Sequence, residues 1–162
     1  MIKRVYTQTY GVVGALVEKD GKFLLVKEAG DKLADAGKWN HPAGWLNIGE
    51  NPVDGAKREV EEETGYKFMP SDILGIYSIA RKDLLKAQQE VRHPIKIIYI
   101  GKISEEQALL KEEIIEIRWF SVEEIEAMDS NYLRYSDIKI MVKDYFAGKK
   151  YPLELLTHTT QE

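Results

Sequence analysis

Glu59 is followed three and four residues later by Glu62 and Glu63, in a segment that reads as helix, so the three carboxylates share one flank. With each residue turning roughly 100°, they fall together in an arc of about 100° that also holds Gly55, and Glu63 borders the apolar stripe of Val53, Ala56 and Val60. Like charges at these spacings repel in water, and more strongly when partly desolvated, so helix stability does not account for them. A divalent cation would turn that repulsion into coordination, because Mg²⁺ prefers hard oxygen ligands and binds through a few carboxylates together with phosphates and water. Gly55 costs the helix about 1 kcal/mol relative to Ala. Lying one turn before Glu59, it would leave room for a metal or phosphate near the backbone. The competing reading is a solvated acidic face, the ordinary origin of runs such as Glu61-Glu62-Glu63, and the helix alone leaves the two level.

The elements that must position these groups are also legible. Asn51 as N-cap, Pro52 at the first helical position, Asp54 in the first turn and Gly65 past the end predict a helix over Pro52 to Thr64. Upstream, Gly11 to Val17 and Lys22 to Lys27 predict two antiparallel strands joined at Lys19-Asp20-Gly21. The polar stretch from Ala29 to His41 predicts a long surface loop. Downstream, strands are expected over Ile73 to Ala80, Pro94 to Ile103 and Ile114 to Phe120. Ser121 with Glu124 forms a capping-box pattern for a short helix to Met128, and Asp137 to Phe146, ended by Gly148, predicts an amphipathic helix. No repeat or linker interrupts the chain, and a mixed sheet with helices on its faces is the economical arrangement.

The composition bounds what such a site could serve. The chain has 162 residues, 44% hydrophobic and 31% charged, matching one globular domain over residues 1–162. A net charge of -4 argues against a nucleic-acid partner, and phosphates at the site would need local neutralisation. With no cysteine, disulfides, thiolate catalysis and cysteine-bound zinc are excluded. The polar amino terminus and the absence of a long apolar run predict no export signal, no membrane span and a cytoplasmic location.

Gly44, Glu50, Arg58, Glu59, Val60, Glu62, Glu63, Gly65 and Tyr66 reproduce the spacing G-x5-E-x7-R-E-U-x-E-E-x-G-U, with U a bulky apolar residue. This resembles the box of the Nudix hydrolases, here residues 44–66; the soft departure is Tyr66, where an aliphatic residue is usual. Nine spaced matches make the resemblance specific. It implies an α/β (α+β) fold, an α/β/α sandwich around a mixed β-sheet, and hydrolysis of a phosphoanhydride with Mg²⁺ or Mn²⁺. It also implies that Glu59, Glu62 and Glu63 are metal ligands, with Glu59 the candidate to orient or deprotonate water and the Gly44 carbonyl a further ligand. Arg58 and Glu50 would support the loop against the helix. An acidic residue from outside the box often joins the metal in this family, and among Glu112, Glu113 and Glu116 the candidate taken is Glu113.

Trp39 to Gly44 and Tyr151 to Leu155 resemble a bacterial Nudix phosphatase subgroup acting on nucleoside di- and triphosphates and on hydroxymethylpyrimidine diphosphate. The expected partner is therefore a small-molecule nucleotide or organic diphosphate, with a homodimer left open. Alternatives are a pyrophosphohydrolase acting on a nucleoside diphosphate linked to another group, and a non-catalytic nucleotide-binding module, though such modules commonly lose box carboxylates. Trp39 is carried as a candidate for stacking on a substrate ring, against the more frequent role of a core anchor. His41, His93 and His158 are too scattered for a metal-ligand spacing. Arg81, Lys82, Arg92 and Lys96 read as a solvated charged loop that would meet phosphates only if it bordered the site.

Overall fold

The computed structural model describes residues 10–29, 36–80, 93–110 and 112–161; Arg81, Lys82, Arg92 and part of the loop before Trp39 lie outside them. Eight strands are present among the described residues: β1 (Gly11–Ala15), β2 (Glu18–Lys19), β3 (Lys22–Glu28), β4 (Trp39–Asn40), β5 (Ala43–Trp45), β6 (Tyr66–Ser78), β7 (Ile95–Gln107) and β8 (Ile114–Ser121). They are joined by the helices α1 (Pro52–Thr64), α2 (Val122–Ala127) and α3 (Ile138–Phe146).

The expected first strand is divided. It runs to Ala15 in one sheet, and the chain then crosses to another: the Leu16 N–H still donates to Tyr99 O, whereas Val17 O accepts from Leu24 N–H. The strands accordingly form two sheets. One has the order β5-β1-β7-β6, with β1 parallel to β7 and the other pairs antiparallel. The other is built on β3, which pairs antiparallel with β2, β4 and β8. The β2–β3 hairpin turns through Asp20 and Gly21 at positive φ, 53° and 77°, as a tight hairpin of this hand requires.

Helices cover both faces of the mixed sheet, which is the sandwich expected. On one face Ala56 and Val60 of α1 pack with Val13, Ala15, Phe68 and Ile73. On the other, Ile138, Met141 and Val142 of α3 pack with Leu16, Leu74 and Ile98. α1 begins at Asn51, whose side chain accepts from Val53 N–H at 3.1 Å, and ends at Gly65, in the left-handed region at φ 72°. The capping box at α2 is also formed, with Ser121 and Glu124 each accepting from the other's backbone N–H.

β6 and β7 are longer than expected because their added residues lack apolar alternation. β6 starts at Tyr66 and carries Pro70, tolerated where the register shifts on an edge strand. β7 continues through Ser104, Glu105 and Glu106 as a solvated arm. No described helix is long and apolar enough to cross a membrane.

Candidate active site

Gly44 shapes the site by lacking a side chain. It lies on β5, an edge strand of the mixed sheet, opposite Val13 of β1. A Cβ built there would fall closer than 3.0 Å to the Glu59 carboxylate. The bare backbone thus lets a side chain from α1 rest against the strand. Glu59 is 9% exposed, and burial raises its carboxyl above the usual carboxylate range even though Arg58 hydrogen-bonds to it. Of Glu59, Glu62 and Glu63, Glu59 is the buried one, while Glu62 and Glu63 are half-buried. The expectation that Glu63 would border the buried side therefore shifts to Glu59, because β5 packs over that part of the helix. Glu63 instead accepts the Ala43 N–H at 3.0 Å and ties α1 to β5 from the next turn.

Arg58 is the clamp. Its Nε and Nη2 donate to the two oxygens of Glu50 at 2.7 and 3.0 Å, and Nη2 also donates to Trp45 O at 3.1 Å. Its Nη1 reaches Glu59, and Glu62 at 3.4 Å. This forked pairing holds the Glu50 carboxyl below its usual range, aided by the Asn47 N–H at 3.0 Å. The loop from Trp45 to Glu50 is thereby fixed to the helix, a positioning role that the sequence resemblance implied.

The space attributed to Gly55 is filled otherwise. A Cβ at Gly55 would meet Glu50 Oε2 at 2.9 Å and a Val13 methyl at 3.0 Å. Its absence admits the Glu50 carboxylate and the β1 side chain, so the glycine serves packing and not a metal or phosphate.

Ala43, Gly44, Glu59 and Glu63 line a cavity of about 320 Å³. Hard carboxylate oxygens beside a glycine gap, one of them on a buried side chain, suit a divalent cation of the Mg²⁺ type. Among the described residues no three acidic or histidine groups already converge as ligands. Glu59 turns to Arg58 and Glu63 to Ala43, so coordination would require those side chains to turn inward.

Two further candidates are placed elsewhere. Trp39 is 8% exposed and packs edge-on against Phe120, with ring centroids 4.8 Å apart. The stacking role considered for it is corrected: the ring is a core anchor, because pairing of β4 with β3 turns it inward. Glu113 is exposed just before β8, where its carbonyl accepts from Ala29 N–H at 2.9 Å, and it does not line the cavity.

Sequence reasoning missed a further part of the cavity lining. Lys96, read as part of a solvated loop, is instead 1% exposed and donates to Asp137 at 2.8 Å. It lines the cavity together with Arg134 and Tyr135. The available signal was a lone charge inside Ile95-Lys96-Ile97-Ile98, where an apolar strand has no packing use for an ammonium.

Comparisons with known proteins bear on the family and the fold. A model described as the NUDIX domain matches residues 7–139. Phosphatase NudJ of Escherichia coli strain K12 is 30% identical over 148 residues, covering 89% of this chain and 88% of that protein. A NUDIX hydrolase from Nitrosomonas europaea superposes with a TM-score of 0.80 at 33% identity, covering 91% of this chain and 95% of that one. A MutT protein from Methanosarcina mazei Go1 gives a TM-score of 0.69 at 30% identity, covering 86% of this chain and 94% of that one.

Proposed function

The chain belongs to the Nudix hydrolase family, and from that premise we propose a divalent-metal-dependent hydrolase that removes the terminal phosphate of a nucleoside di- or triphosphate or related organic diphosphate. The observation that carries the reading is the seating of the Glu59 carboxylate in the gap left by Gly44, in one cavity with Glu63. Glu59, Glu62 and Glu63, with the Gly44 carbonyl, are the proposed metal-holding groups, for Mg²⁺ or Mn²⁺. When bound, such a cation neutralises phosphate charge and makes water a better nucleophile. Glu59, buried and with its carboxyl held above the usual carboxylate range by that burial, is suited to orient that water and accept its proton. Arg58 and Glu50 hold the loop from Trp45 to Glu50 against the helix that carries the carboxylates.

Terminal attack rests on a different footing. It is supported by the subgroup likeness in Trp39 to Gly44 and Tyr151 to Leu155, and by the relative named Phosphatase NudJ. Tyr151 forms a backbone pair with Ile73 at 2.8 Å in both directions and supports the edge of β6. The box by itself does not choose the bond, because sliding the phosphate chain by one unit along the same carboxylates changes the phosphorus attacked. The test is to incubate the protein with a nucleoside triphosphate and Mg²⁺ and to separate the inorganic products without added pyrophosphatase. Orthophosphate is expected as the first product; pyrophosphate would overturn terminal attack and leave the family assignment standing.

A further inference from the structure

Val13 and Ile97 pack into the core under α1. Side chains alternate along a strand, so Val12 and Lys96, one residue earlier, face the other side of the sheet, where Ile98 packs with α3. Trp45 of β5 pairs directly with Val12, and Val12 with Lys96. Trp45, Val12 and Lys96 therefore stand in one row on that face. All three line the same cavity as Gly44, Glu59 and Glu63, which thus draws its lining from both faces of the sheet at the edge strand β5. Tyr135 also lines it, with the Lys96 ammonium 3.8 Å from the centre of its ring. Among the described residues, neither core includes Val12, Trp45 or Tyr135. Trp45 is half-buried. A tryptophan on an edge strand that joins no core brings its flat apolar ring to the cavity it lines.

A cavity of about 320 Å³ suits a small molecule. Carboxylates, through a divalent cation, serve its phosphates; the organic group that carries those phosphates needs a surface of different chemistry. A heteroaromatic ring gains most from an aromatic face, whereas a ring-free chain gains little there. We propose that Trp45 is a specificity-determining residue on which the heteroaromatic ring of the diphosphate substrate stacks, beside Val12, with Tyr135 bounding the subsite. The stacking role considered for Trp39, which is a core anchor, thus falls to the tryptophan next to Gly44. Every base has a face to stack, so the subsite selects ring-bearing over ring-free diphosphates without fixing one base. This rests on the hydrolase reading above.

The test compares ligands that differ only in the ring. The α,β-methylene analogues of ADP and CDP, which resist cleavage, and ring-free methylenediphosphonate are titrated with Mg²⁺ into wild type, Trp45→Phe and Trp45→Ala, with a melting curve for each. Binding is read by calorimetry and by indole fluorescence. Wild type should bind both nucleotide analogues more tightly than methylenediphosphonate, and only the nucleotides should quench its fluorescence. Trp39 and Trp119 pack into the cores and do not line the cavity, so Trp45→Phe should lose the quench while keeping most of the affinity. Trp45→Ala should weaken both nucleotides by about tenfold or more and leave methylenediphosphonate unchanged. If Trp45→Ala does not fold, the quench and its loss in Trp45→Phe carry the test. Methylenediphosphonate binding as tightly as the nucleotides, a quench that persists in Trp45→Phe, or a loss in Trp45→Ala equal for all three ligands would each overturn the subsite. Trp45-dependent binding in a protein that releases no phosphate from nucleoside di- or triphosphates with Mg²⁺ would uphold the subsite and overturn the hydrolase reading.

Discussion

Gly44 and Glu59 share one volume: the Cβ that Gly44 lacks would coincide with the space of the Glu59 carboxylate. Gly44 is not among the glycines at positive φ, so alanine is acceptable to the backbone and only the close approach is disturbed. Gly44→Ala should therefore fold, at an overpacking cost of about 1–3 kcal/mol. Displacing Glu59 by even a fraction of its length should lower kcat by about a hundredfold. Wild-type kcat in a folded Gly44→Ala protein would remove Glu59 from the reaction.

Glu63→Gln keeps an oxygen for the Ala43 N–H while removing a charge from the cavity. Without metal its melting temperature should stay level or rise, since one repulsive carboxylate is gone. With Mg²⁺ its kcat should fall by about a hundredfold, and chelation should abolish wild-type turnover. A large loss of melting temperature would show that Glu63 serves chiefly to hold β5.

Arg58→Lys preserves the charge but cannot fork across both Glu50 oxygens while also reaching Trp45 O. A loss of about 1–3 kcal/mol is expected, read as a melting temperature several degrees lower, together with reduced kcat because the loop and Glu59 lose a common partner. An unchanged melting curve would count against the clamp.

His41 is fully buried, with Nδ1 donating to Pro42 O at 3.3 Å, and burial followed by nearby Lys96 lowers its pKa from 6.5 to about 4. Between those two values the unfolded chain takes up a proton that the folded chain refuses, so stability rises with pH across the window. The contribution is complete above about pH 6.5 and is lost progressively toward pH 4, by up to about 3 kcal/mol. Melting temperature measured from pH 7 to pH 4 should fall more steeply for wild type than for His41→Leu. Parallel curves would show that His41 does not govern this part of the acid limb.

Local chemistry in the sequence determined α1 from cap to cap. Asn51, Pro52 and Gly65 satisfy or forgo the backbone groups that a helix end leaves open, and they do so without help from distant residues. The same holds for the Asp20-Gly21 turn and for Ser121 with Glu124. The box spacing likewise identified Glu59, Glu62 and Glu63 as one face, because 3.6 residues per turn is a property of any α-helix.

What tertiary structure alone decided is which groups meet across the chain. Helical arithmetic places Glu63 nearest the apolar stripe, but the glycine gap on β5 buries Glu59, and only packing of two distant segments creates that gap. The packing use of Gly55 depends on Val13 and Glu50, and the inward turn of Trp39 on pairing with β3. Lys96 and Asp137 are 41 residues apart. Their pairing has no local period to betray it, because it exists only once β7 and the start of α3 have been brought together.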